Sequence, residues 1–80
     1  MNATTATLIH ISSVAAQFVR VGEIIERSHG HLYMVIGRAL PEGTRPGYVT
    51  AVAYDLEDEN QTPVCITMIR DTMVRTYDEV

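Results

Sequence analysis

Eighty residues with a formal net charge of −4 leave room for one domain and no second core. That charge argues against general affinity for a nucleic-acid backbone, which needs clustered positive surface. The lone Cys65 excludes an intrachain disulfide, and its place in an apolar run points to a buried thiol in a reducing compartment.

A chain this short buries only about 60% of its unfolded surface, so it is marginally stable alone or gains stability from a partner. All six basic residues are arginine. A base-composition bias is enough to explain that, but every cation is then a planar, multi-donor group suited to carboxylate or phosphate. No stretch approaches the roughly 18 apolar residues of a membrane span. Met1 to Thr7 also lacks the positive start of a secretory signal, so the cytoplasm is the expected location and no membrane partner is expected.

Met1 to Thr7 is small and polar and reads as a frayed arm. Leu8 to Ile11 is apolar enough to be tied down, either as a short strand or as the start of a helix. Ser12 to Gly30 has two readings. As a helix, Ser12 caps it, Val14, Phe18, Val21 and Ile25 form the apolar stripe, and Gly30 stops it. As extended chain, Phe18 to Val21 is a short strand, Gly22 a bulge or bend, and Ile24 to Arg27 leads into a Ser-His-Gly-His turn. The β-branched residues Val19, Val21, Ile24 and Ile25 tip the balance toward the strand.

His31 to Leu40 is the densest apolar run, bounded by turn residues on both sides. Leu32, Met34, Ile36 and Leu40 point one way in an extended chain, and Tyr33, Val35 and Ala39 the other. A strand apolar on both faces belongs in the middle of a sheet. Pro41 to Gly47 is a loop, with two prolines and two glycines. Tyr48 to Leu56 alternates a bulky side (Tyr48, Val52, Tyr54) with a small one (Ala51, Ala53), which predicts a strand closely packed on its small face. Glu57 to Thr62 is a polar turn, Val64 to Ile69 a further strand, and Met73 to Tyr77 a last short strand or turn.

These elements predict a mainly β fold: a small SH3-like partial barrel of four to five antiparallel strands with an N-terminal arm. The division is an arm over 1–17, flexible or partly helical, a barrel-like domain over 18–77, and an acidic tail over 78–80. The alternative is an α+β fold with a helix over 13–28 packed on a three-stranded antiparallel sheet.

Gly22-Glu23-Ile24, His29-x-His31 and Tyr33-x-Val35-x-Gly37-x-Ala39 together resemble a short bacterial domain family of unknown function. Its members share a glycine-acid-apolar start, a Lys/His-Gly turn and a Tyr-x-Val-x-Gly-x-Ala strand. The resemblance spans roughly Val21 to Met73. This chain differs in its longer segment before Phe18, and it lacks the family's aromatic-arginine-proline signature in the fourth strand. The resemblance implies a small SH3-like barrel and no particular activity.

Candidate functional residues are few. His29 and His31 flank Gly30, and His10 or Cys65 could add a third metal ligand, but the spacing of a zinc site is missing and a solvated turn is the simpler reading. Asp55, Glu57, Asp58 and Glu59 form an acidic loop without the glycine and twelve-residue pattern of a calcium site. Such a loop is usually just solvated; a sharper reading presents it to a basic partner as an imitation of nucleic acid. Ser12, Ser13 and Ser28 lack an elbow-type context, so no catalytic residue and no cofactor are expected.

Arg38, Arg45, Tyr48 and Tyr54 carry the stronger signal. Arginine and tyrosine are enriched at protein–protein hot spots, because each joins apolar area to a polar handle. The plainer reading is that such tyrosines cover the edge of a core while the arginines solvate it. The expected function is a non-catalytic interaction module with a protein partner, and self-association through an open sheet edge is a further expectation. Small acidic proteins of this style include phage or mobile-element inhibitors of host factors. The alternatives are an oligomer binding a nucleotide-like ligand through Arg38, Arg45 or Arg70, and a small metalloprotein or enzyme subunit.

Overall fold

The computed structural model of the chain describes residues 8–38 and 45–79. The expected arm over Met1–Thr7, the strand end Ala39–Leu40, the first half of the Pro41–Gly47 loop and Val80 lie outside the described residues, as does the His29 side chain. Within them the chain is mainly β. Six strands form one antiparallel sheet: β1 (Leu8–Ala15), β2 (Ile24–Glu26), β3 (Leu32–Arg38), β4 (Tyr48–Asp55), β5 (Val64–Ile69) and β6 (Met73–Glu79). Their order across the sheet is β1-β6-β2-β3-β4-β5, which leaves β1 and β5 as edges of an incompletely closed barrel.

The sheet has six strands where the sequence predicts four to five, and the extra one is β1. Residues expected to form the arm pair with β6 from Leu8↔Glu79 to Ala15↔Met73, with an irregularity between His10 and Ser12. Asp78 and Glu79, expected in a solvated tail, lie in that ladder. The segment 13–28 is not the helix of the alternative fold. It holds the end of β1, a 3-10 turn at Ala16–Phe18, a reversal at Gly22, β2 and part of a second 3-10 turn. Phe18 to Val21 is not a strand either: Val19 alone of the four turns inward, and Phe18 and Val21 are exposed.

Gly22 is the reason the reversal works. Its φ of +97° lies where a side chain would strain the backbone. Its N–H donates to the Val35 carbonyl at 2.8 Å, and the Val35 N–H donates to the Glu23 carbonyl at 2.9 Å. The chain therefore enters β2 already paired to β3.

β3 is central, as its two apolar faces predict, with β2 on one side and β4 on the other. Its alternation breaks at Ile36, where the register shifts between Val35↔Ala53 and Gly37↔Val52. The bulge carries Arg38 round to the Ala51 position and leaves Ile36 exposed. On β4 the small face packs inward as expected. Ala53 is fully buried and Ala51 nearly so.

The core gathers Ala16, Val19, Ile25, Val35, Ala51, Met68 and Val74, with Val14, Tyr33, Val49 and Ile66 packed against it. Thr76 is the one buried polar side chain among the described residues. Its hydroxyl lies 3.0 Å from Ser12 Oγ and donates to the Ser12 carbonyl at 3.2 Å, so burial leaves it satisfied. Cys65 corrects the sequence reading: it is exposed, on the outward face of an edge strand.

Candidate functional site

The predicted site residues separate into two groups at opposite ends of β4. Arg38, Arg45 and Tyr48 lie at its first end; Tyr54, Asp55, Glu57, Asp58 and Glu59 lie at or beyond its last. Tyr48 and Tyr54 share a face but stand six residues apart, about 20 Å along a strand. They belong to two surfaces.

At the first end the Arg45 guanidinium stacks over the Tyr48 ring, 4.7 Å from its centroid. Gly47, with φ +84°, turns the chain between them, and its carbonyl accepts the Arg70 N–H at 2.9 Å. Arg38 Nη2 donates to the Gln17 carbonyl at 2.9 Å, and Arg70 Nη2 donates to Gln17 Oε1 at 2.8 Å. Ala16 and Gln17 donate their N–H groups to the Thr72 and Arg70 carbonyls at 2.8 and 3.1 Å. Two arginines thus tie the 3-10 turn after β1 to the far side of the barrel. Arg45 lies beside them in solvent.

At the other end the carboxylates turn onto their own loop. Asp55 Oδ1 accepts the Glu57 N–H at 2.8 Å, and its other oxygen lies 3.5 Å from His31 Nδ1. Asp58 accepts the N–H groups of Thr62 and Asn60, each at 3.0 Å. These bonds, that from Thr62 foremost and that from Asn60 next, hold the Asp58 carboxyl below the usual aspartate range. Glu57 and Glu59 stay exposed and face water. Half of the acidic loop is therefore turn chemistry, and half is surface charge.

Because the folded value of Asp58 is depressed, the ordering it confers is complete above the unfolded value and is lost as pH falls through the folded one. A carbon-detected NMR titration is expected to place the Asp58 midpoint below the ordinary aspartate value, with the Asn60 and Thr62 amides shifting along the same curve. A midpoint at the ordinary value would show that the loop bonds do not form in solution.

His31 is half-exposed beside Asp55, and among the described residues no three His, Cys, Asp or Glu side chains gather closely enough to hold a metal ion. His10, the proposed third ligand, lies on β1, with its ring 5.7 Å from that of Tyr77. Tyr77 donates its hydroxyl to Glu26, which raises the phenol above its ordinary value because the neighbouring carboxylate favours the protonated form. No short-range pattern signals this cluster, since Glu26 and Tyr77 are 51 residues apart. Ser13 Oγ and His10 Nε2 are 3.5 Å apart, both exposed.

A shallow hollow of about 210 Å³ lies between Arg27, Ser28 and Tyr33 on one side and Cys65 and Ile66 on the other. Small-molecule sites usually enclose roughly 300–1,000 Å³, so this hollow is small for a ligand site. No helix of the described residues is long and apolar enough to cross a membrane. No family model matches the chain, and no curated protein or solved structure matches it.

Proposed function

We propose that the chain is a non-catalytic interaction module that binds another protein through the rim formed by Arg45 and Tyr48. The stacked pair carries this reading. It presents a large, pre-oriented apolar and cationic surface at little cost in side-chain entropy, and it stands on a base stiffened by the Gln17 bonds. An acidic surface patch on the partner would complement it. The resemblance to the short bacterial family of unknown function fits such a small barrel, and a host-factor inhibitor in the cytoplasm is one form the module could take.

The gathering of Arg38, Arg45 and Arg70 at one end favours a second reading, in which the rim binds a nucleotide-like anion. The engagement of Arg38 and Arg70 with Gln17 weighs against it. The deciding experiment is a pull-down from the native host with the wild type and with an Arg45→Ala/Tyr48→Ala variant. Loss of an aromatic–arginine hot spot is expected to weaken capture by roughly tenfold or more. Equal recovery of the same partners by both chains would rule the rim out. A thermal-shift panel of nucleotides is expected to leave the protein unmoved, and a clear stabilisation would promote the anion reading over the protein one.

A further inference from the structure

Arg27 stands apart from the other arginines. It is half-buried, whereas Arg20, Arg38, Arg45, Arg70 and Arg75 are exposed. Among the described residues its guanidinium has no hydrogen bond, no carboxylate and no ring partner. It borders the hollow of about 210 Å³, with Ser28 and Tyr33 beside it and Cys65 and Ile66 of β5 opposite. A guanidinium already drawn partly out of water has less hydration to lose when an anion binds.

The polar side of the hollow is made of donors. The Ser28 and Tyr33 hydroxyls also lack a partner among the described residues. No buried side-chain nitrogen or oxygen is left without one, so all three groups are reachable from solvent. No carboxylate lines the hollow, although the chain carries ten acids. The two acids nearest by register are engaged elsewhere. Glu26 accepts the Tyr77 hydroxyl, and Asp55, opposite Tyr33, accepts the Glu57 N–H and lies beside His31.

The groups are also held in place. The Arg27 N–H donates to the His31 carbonyl at 2.8 Å, and the Gly30 N–H returns to the Arg27 carbonyl at 3.1 Å, with Gly30 at φ +77°. Tyr33 and Ile66 pack against the core. We propose that this hollow binds a small monocarboxylate, with Arg27 on the carboxylate and Ile66 and the Tyr33 ring along a short apolar body. One guanidinium fork matches one planar carboxylate in charge and shape. The two hydroxyls supply further donors to the same oxygens. A phosphate dianion would leave a negative charge unmatched in a chain of net charge −4. The Arg45–Tyr48 rim lies at the other end of β4 from Asp55, so neither proposal depends on the other.

An NMR titration of the intact chain with isocaproate, at constant neutral pH and ionic strength, is expected to shift the Arg27, Ser28, Tyr33 and Ile66 amides along one saturable curve. The expected dissociation constant is on the order of 1 mM, the scale that a few charge-assisted contacts support. Acetate, which lacks the apolar body, and inorganic phosphate are each expected to bind roughly tenfold or more weakly. Arg27→Gln keeps much of the packed stem and is expected to weaken isocaproate binding by roughly tenfold or more. Tyr33→Phe keeps the ring and loses only the hydroxyl, so it decides the matter by its own loss of affinity if Arg27→Gln does not fold. N-acetylleucine places the same carboxylate beside an amide, and its binding relative to isocaproate tells a peptide terminus from a free acid. Wild-type amides that do not saturate would overturn the proposal. So would folded variants that bind as tightly as the wild type, or acetate or phosphate binding as tightly as isocaproate.

Discussion

Ile25→Ala is expected to destabilise the fold by about 2–5 kcal/mol, the usual cost of removing a large aliphatic side chain from a site that cannot collapse. Ile25 is fully buried. It lies on the shortest strand, between Tyr33 of β3 and Thr76 of β6, so three strands meet at its side chain. A domain of this size has a total stability of roughly 4–12 kcal/mol, and the substitution therefore removes a large part of it. Urea unfolding followed by circular dichroism is expected to show a lower midpoint, with a thermal midpoint depressed by at least about 10 °C. A change below about 1 kcal/mol would mean that the β2–β6 junction is not the centre of the core, because exposed substitutions cost that little.

That junction shows what sequence could and could not reveal. β3, β4 and β5 were legible because each carries its own signal: two apolar faces from Leu32 to Arg38, a small face at Ala51 and Ala53, and a six-residue apolar run after Pro63. The turns around them were legible from glycine, proline and aspartate. β1 was not. Its side chains are mostly exposed, and two serines break its apolar pattern, because an edge strand on a curled sheet buries little. What makes it a strand is β6, whose partners lie from 58 residues away (Ala15↔Met73) to 71 (Leu8↔Glu79). Phe18 to Val21 misled for the converse reason: its β-branched residues fit an extended chain, while hydrogen bonds from Ala16 and Gln17 to the β5–β6 turn bend the segment into a 3-10 turn.

The site followed the same division. Arg45 and Tyr48 are close in sequence, and their stacking was within reach of a local reading. That Arg38 and Arg70 serve the barrel closure was not legible, since the residue they meet is Gln17, 21 and 53 positions away. Cys65 reads as buried from its apolar run, yet such a run shows that a strand exists without showing whether it has a neighbour on both sides.

Deleting residues 1–15 is expected to abolish cooperative folding, although the segment contributes little to the core. β6 pairs with β1 at seven positions from Leu8 to Ala15, but with β2 at only two, Ile24↔Tyr77 and Ile25↔Thr76. Without β1, β6 is held on one side through a three-residue strand, and the hydroxyl of Thr76 loses Ser12. Val74 and Thr76, both buried, then meet solvent, and the half-buried Val14 is gone from the core margin. Losing about one net kcal/mol per hydrogen bond across the ladder exceeds what a marginal domain can spare. The shortened chain should give a collapsed amide spectrum and no sigmoidal urea transition. If residues 8–15 were a mere appendage, the same deletion would leave dispersion and midpoint unchanged, and the barrel would close on β6 alone.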